Sequence, residues 1–295
     1  MIRLDNKTCI FCLLARNVEN ALKRNIPKIN EVRGFFHDSW VIVVENDSRD
    51  KTKELLKEWA EEKDNIILDM KDTNEETIPN RTDKCVFPAG SRYRIEKMAT
   101  FRNIYLKIIK EKSLKSDYII VIDVDIDSFY PQDIKVNIEN APEDWHGLFP
   151  NGVLYSKCFN KIIKEKYYDT FAFVPYESKT YELTFREQYE NRDYISRNLK
   201  HDYLKVKSAF GGLGIYRYED LTNFQYTVTE NHRSTILEVL CEHISLAQYL
   251  ENRGCSYICR NMKVLYEKAP FLSILFPAKV NTFLYPFVKF KQFPI

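Results

Sequence analysis

The stretch DYIIVIDVDID, residues 117–127, decides how this chain is read. An apolar run from Tyr118 to Ile122 leads straight into Asp123, Asp125 and Asp127. A short, β-branched run without alternation is the pattern of a strand buried on both faces of a parallel sheet. Carboxylates at the carboxyl end of such a strand lie where open α/β sheets bind ligands. Side chains alternate along a strand, so the three acids share one face if the chain stays extended. Like charges that close repel, and loss of water sharpens the repulsion. A divalent cation relieves it, and hard oxygen donors suit Mn²⁺ or Mg²⁺. The plain alternative is a solvated acidic loop that caps the helix opened near Pro131.

Outward from this strand, short apolar runs alternate with amphipathic stretches, the pattern of βαβ units around a mostly parallel sheet. Strands are predicted at 9–14, 40–45, 65–69 and 118–122. Helices are predicted at 17–29, with a possible break near Pro27, and at 51–62 and 95–112. A long polar loop fills 71–92. The second half is less regular: weak strands at 149–154 and 171–176, a charged helix within 181–198, a strand–glycine turn–strand over 206–217, a helix at 242–252 and a last strand within 256–266. No linker or repeat interrupts the pattern, so residues 1–268 are predicted to form one domain. The tail from Ala269 to Ile295 has no acidic residue and is rich in Phe, Leu, Pro and Lys. So much apolar surface is expected to dock on the domain or on a membrane, its lysines meeting anionic headgroups.

Four further stretches carry chemistry. In VIVVENDSRDKT (41–52) a buried strand ends in polar groups able to bond a nucleobase and ribose; helix capping is the plain reading. In RYRIEKMATFRN (92–103) Arg94 and Arg102 share a helix face suited to a diphosphate, or to solvent. In SAFGGLGIYR (208–217) Gly211 and Gly212 permit close approach to a ligand, or a tight hairpin. In CEHISLAQYLENRG (241–254) Glu242 and His243 open a helix, where an acid and an imidazole can face a cleft as base or metal ligand.

The 295 residues are 44% hydrophobic, enough for one large core, and 29% charged, which excludes an integral membrane protein. A net charge of +2 lacks the basic excess of a dedicated nucleic-acid binder. The seven cysteines are odd in number and scattered, which points to a reducing, cytoplasmic compartment. Cys9 and Cys12 sit in an apolar run and read as core thiols, and Cys255 and Cys259 are wrongly spaced for a zinc pair. The first residues do not form a signal peptide, and no apolar run reaches transmembrane length.

Taken in order, these stretches resemble the GT-A glycosyltransferases. They are similar to the chitin- and cellulose-synthase-like family, and closer to the capsule-associated α-1,3-mannosyltransferase family. The stretches that carry the resemblance are LLARN (13–17), VENDSRDKT (44–52), the basic and apolar pattern of 94–103, DVDID (123–127), FGGLGIYR (210–217) and CEHISL (241–246). The resemblance implies a metal-dependent transfer of sugar from a GDP- or UDP-sugar donor to a glycan or glycolipid hydroxyl, in surface polysaccharide synthesis, at the inner face of the membrane. It implies that Ala15, Arg16, Glu45 and Asp47 hold the nucleoside and that Arg94 and Arg102 lie near the donor. Asp123 would reach ribose or metal, Asp125 would hold the metal with Asp127 beside it, and Gly211 and Gly212 would border the sugars. Where the chitin-synthase-like family carries an Asp base, this chain has His243 after Glu242, so His243 is open to either role, base or metal ligand. A nucleotidyltransferase or a non-catalytic sugar-nucleotide binder is the alternative. The first usually carries a glycine-rich loop after the first strand, which LLARNVENALKRN lacks, and the second has no need of clustered carboxylates.

Overall fold

Strand β1 (Thr8–Ala15) buries both faces, which is why its sequence does not alternate. It is followed by α1 (Glu19–Arg33), β2 (Asp38–Glu45), α2 (Thr52–Glu62), β3 (Ile66–Met70), α3 (Arg92–Glu111) and β4 (Tyr118–Asp123). The second half adds β5 (Ser128–Phe129), α4 (Pro131–Glu139), β6 (Trp145–Cys158), β7 (Lys161–Tyr167), β8 (Val174–Pro175) and α5 (Phe185–Asn198). It ends with β9 (Tyr203–Ser208), β10 (Leu213–Arg217), α6 (Tyr218–Leu221), α7 (Glu242–Leu250) and β11 (Cys255–Lys268). This computed structural model describes residues 2–80, 87–159 and 161–269.

The strands form one sheet in the order β3-β2-β1-β4-β10-β6-β11-β9-β8, with β5 paired to β11 and β7 to β6. From β3 to β4 every pair is parallel. At β10 the direction reverses, and the other half is mixed. The α/β class expected from the alternation is the one found, with the run of consecutive parallel strands in the first half and a further parallel pair, β6 and β11, in the second.

Period two explains the layers. Phe11, Leu13, Val41, Val43, Ile120 and Ile122 point into one core, with Leu22, Ile29, Val32, Leu56 and Trp59 of α1 and α2. Ile10, Cys12, Ile42, Val44, Ile119 and Val121 point into the other, with Ala99, Tyr105, Ile109, Ile244 and Leu250 of α3 and α7. Cys9 and Cys12 therefore lie on opposite faces, as separate core thiols. The register sets Ala15 opposite Glu45 and Leu14 opposite Asp123, so three strands end together at one edge.

Three expectations change. Helix α1 runs through Pro27. Ala21, Leu22, Ile29 and Val32 lie on both sides of the proline in one core, and that packing outweighs a lost backbone bond. The strand expected at 149–154 is found within the longer β6, which continues into a hairpin with the unexpected β7; lysines along KIIKEKY hide that strand from a hydrophobicity reading. Only Val174–Pro175 of the strand expected at 171–176 is extended. Of the tail, Ala269 alone is described; the rest of it, and Cys85, lie outside the described residues. Among the described residues no helix is long and apolar enough to cross a membrane.

Beyond Asp123 the chain does not stay extended. It turns, with the Ile126 N–H directed to the Asp123 carbonyl at 3.4 Å. Asn25, fully buried in α1, fixes the turn by donating from Nδ2 to the carbonyls of Val124 (3.2 Å) and Ile126 (2.8 Å). Replacing Asn25 by Ala leaves two buried carbonyls without a donor, an expected loss of about 1–3 kcal/mol. Urea unfolding checks this: an unchanged midpoint would show that the turn does not depend on Asn25.

Candidate active site

The edge where β1, β2 and β4 end carries most of the residues singled out in the sequence. Ala15 closes β1 and is buried. Glu45 closes β2, 1% exposed. One of its oxygens accepts the Ser48 N–H at 2.9 Å, and Oε2 is buried without a hydrogen-bond partner, with Lys53 Nζ 4.0 Å away. Asp47 stands in the left-handed region at φ 56°. Its carboxylate accepts from Asn46 Nδ2 (2.8 Å), Thr73 Oγ1 (2.7 Å) and the Asn74 N–H (2.7 Å). Burial opposes its charge, but these donors outweigh burial and hold its carboxyl well below the ordinary range. Arg16 donates to Thr77 Oγ1 and to the Glu75 carbonyl. Residues 73–77 thus lie across Arg16 and Asp47.

The other wall of the site is charged. Arg102 of α3 is 1% exposed and donates from Nε to Glu242 Oε1 at 3.0 Å and from Nη2 to Asp123 Oδ1 at 3.1 Å. One side chain therefore ties α3 to the end of β4 and to the start of α7. The guanidinium also lies over the Phe210 ring, 5.1 Å from its centroid. His243 also stacks on Phe210, its ring centroid 3.7 Å from the phenyl centroid and inclined at 16°. Neither nitrogen of His243 has a hydrogen-bond partner among the described residues. Burial and the Arg102 charge hold its imidazole well below the ordinary pKa, so it is neutral near pH 7. Burial works against the charge on Glu242. With a neutral imidazole beside it, Arg102 and Arg94 supply the positive field that outweighs burial and keeps this carboxyl below the ordinary range. Arg94 donates to the Ala89 carbonyl at 3.0 Å, and its charge also reaches Asp123 and Asp125.

Gly211 and Gly212 adopt φ 67° and 87° between β9 and β10. The Gly212 carbonyl accepts the Asp123 N–H at 3.0 Å, so the turn borders the strand end. A Cβ on Gly152 would stand 2.4 Å from the Gly211 oxygen, so only glycine fits there.

The sequence profile of the family described as Cryptococcal mannosyltransferase 1 matches residues 8–245. The chain belongs to this family. It is therefore a glycosyltransferase. No curated protein sequence matches it. Among solved structures it is similar to the mannosyltransferase PcManGT from Pyrobaculum calidifontis, in complex with GDP-Man and Mn²⁺, at 10% identity and a TM-score of 0.46. That match covers 91% of this chain and 59% of the archaeal one, less than two thirds of its length. It is also similar to glucosyl-3-phosphoglycerate synthase from Mycobacterium tuberculosis, crystallised with Mn²⁺, UDP and phosphoglyceric acid, at 14% identity and a TM-score of 0.44, covering 95% of this chain and 78% of that one. S. aureus TarS (1–349) is similar at 14% identity and a TM-score of 0.44, covering 89% and 60%.

In this glycosyltransferase the row of three aspartates is not formed. Because the chain turns after Asp123, Asp127 points elsewhere: Arg24 Nη2 lies 3.2 Å from its Oδ1, and the Tyr155 hydroxyl donates to its Oδ2. His243 packs on Phe210 and Glu242 instead of joining the aspartates. Among the described residues no group of three or more His, Cys, Asp or Glu side chains is arranged to hold a metal ion.

Asp123 and Asp125 do fit a divalent cation. Asp125 is open to solvent at its surface yet crowded by protein around it, as on the floor of a cleft. That crowding, and the Asp123 charge, push its carboxyl up. A third acid, Asp169, accepts the N–H groups of Gly211 (2.8 Å) and Ala172 (3.3 Å), and burial pushes it to about 6. Asp123, Asp125 and Glu242 thus face the two guanidiniums of Arg94 and Arg102, and Asp169 adds a fourth carboxyl within reach of the charges of Asp123 and Glu242. This excess of carboxylates repels a bare anion, and a divalent cation would relieve that repulsion.

Asn25, Asp169 and Phe210 escaped the sequence reading. Asn25 left a signal, a polar residue in the apolar stripe Ala21, Leu22, Ile29, Val32. Asp169 and Phe210 left none, since each acts through contacts distant in sequence.

Replacing Asp125 by Asn removes a carboxylate that its surroundings disfavour, so the metal-free protein should gain stability. The gain is about 1 kcal/mol, well below a fully buried case because water reaches the group. A raised folded pKa makes this penalty greatest above that pKa. The gain should therefore be largest at pH 8 and vanish below the ordinary carboxylate range. Melting in chelator across this pH range tests it; a lowered melting temperature at pH 8 would contradict it.

Proposed function

We propose that this glycosyltransferase moves a sugar from a GDP- or UDP-sugar to a hydroxyl of a glycan or glycolipid, with Mn²⁺ or Mg²⁺ held by Asp123 and Asp125. The observation that carries this is the pair of carboxylates at and just beyond the end of β4, Asp123 and Asp125, faced by Arg94 and Arg102. The family name makes mannosyl the first sugar to try and surface polysaccharide the first context. Such acceptors place the reaction at the cytoplasmic face of a membrane.

At the nucleoside end, Glu45 Oε2 is a buried acceptor lacking a donor, which a base N–H or a ribose hydroxyl supplies. Arg16 and Asp47 border the same edge, where residues 73–77 complete the pocket wall. Arg94 extends its charge to the diphosphate, and Arg102 keeps Asp123 in place. A bound divalent cation supplies positive charge against the departing nucleotide. Gly211 and Gly212, without side chains, let the sugar approach the backbone.

His243 is the group fitted to take the acceptor proton. It is neutral, and the one basic ring nitrogen of a neutral imidazole is unclaimed, whereas Glu242 is held in its ion pair with Arg102. Glu242 acts through Arg102 as a positioning residue. An inverting reaction uses His243 in this way; a retaining one, with attack from the leaving-group face, needs no protein base.

Nucleotide release from GDP-mannose and UDP-sugars, with Mn²⁺ present, tests the reading. Release should stop in chelator and in Asp125→Ala, and His243→Ala should lower it by about 10²–10⁴-fold if the enzyme inverts. Turnover indifferent to chelator, with native circular dichroism in Asp125→Ala, would overturn the metal assignment.

A further inference from the structure

The β6–β7 hairpin ends in a patch that serves no purpose inside the fold. Its exposed residues include Lys157, Cys158, Phe159, Lys161, Ile163 and Lys164. Phe159 is 96% exposed and Ile163 48%. Phe159 also has φ 46°, the left-handed region. Hairpin turns place Asn, Asp or Gly at such positions, and a bulky aromatic there is disfavoured. Burial does not repay that strain, because the ring is surrounded by solvent.

The charges around the ring have one sign. Lys157, Lys161 and Lys164 are exposed, and no carboxylate of the described residues stands within ion-pair distance of them. Glu165 is the one acid between Tyr155 and Tyr167, and Lys263 claims it at 2.8 Å. The chain leaves the described fold at the base of this same hairpin, where the Ala269 N–H donates to the Tyr155 carbonyl at 2.8 Å. Residues 270–295, which follow, contain three lysines and no acid.

We propose that the tip of the β6–β7 hairpin docks on an anionic lipid surface. Phe159 enters the headgroup and acyl boundary, and Lys157, Lys161 and Lys164 meet the anionic headgroups. A second copy of the chain is a poorer partner, because a two-fold contact would set these lysines against their own equivalents.

Flotation of the full-length protein with vesicles decides this. Phosphatidylcholine vesicles are compared with vesicles containing phosphatidylglycerol as well. The wild type should float with the anionic vesicles only, and added salt should release it. Phe159→Ser should reduce the floated fraction several-fold. Joint replacement of Lys157, Lys161 and Lys164 by Gln should weaken binding by about fivefold per lysine. Nucleotide release from a soluble donor should be unchanged in both variants, which also shows that they fold. The proposal is overturned if both variants float like the wild type, or if the wild type floats with neither vesicle. It is equally overturned if truncation before Ala269 alone abolishes flotation, which assigns binding to the tail. A change in sedimentation of Phe159→Ser without a change in flotation would identify a self-association surface instead.

Discussion

The site depends on one buried guanidinium. Arg102 lies in α3, pairs with Asp123 at the end of β4 and with Glu242 at the start of α7, and is 1% exposed. Burial disfavours its charge, yet the two carboxylates keep it fully ionised. Removing one partner of such a network strands the others in a poorly solvated place. The same side chain lies over Phe210, on which His243 stacks. The positions of the first aspartate, the imidazole and the glycine turn therefore rest on one residue.

The rest of the fold brings these groups to one edge. Parallel register ends β1, β2 and β4 together, so Ala15, Glu45 and Asp123 become neighbours. The reversed strand β10 then returns from Gly211 and Gly212 beside β4. The edge carries more carboxylate than guanidinium, which makes it a poor receptor for a bare diphosphate and a suitable one for a diphosphate with its cation. Residues 73–77 are tied to Arg16 and Asp47 by hydrogen bonds within the protein, which fixes the ends of β1 and β2 relative to that loop.

Much of this was legible in the sequence because buried parallel strands are written plainly. TCIFCLLA, WVIVVE and YIIVI each read as a strand, and the polar residues after them lie at the edge where those strands end together. The three aspartates misled for a physical reason. Period two puts them on one face only while the chain is extended, and Asn25, about a hundred residues earlier, turns it. The ion pairs of Arg102 were hidden likewise, since spacing along α3 gives a helix face but not what that face meets. Strand β7 was missed because its exposed lysines outweigh its strand-forming residues.

A double-mutant cycle on Arg102 and Glu242 tests the central claim most directly. Unfolding free energies at pH 7 are compared for wild type, Arg102→Met, Glu242→Gln and the double variant. If the buried guanidinium holds the site together, Arg102→Met alone costs about 3–5 kcal/mol, and adding Glu242→Gln to it costs little more. Single effects that add within about 0.5 kcal/mol would contradict the claim, because independent residues behave that way.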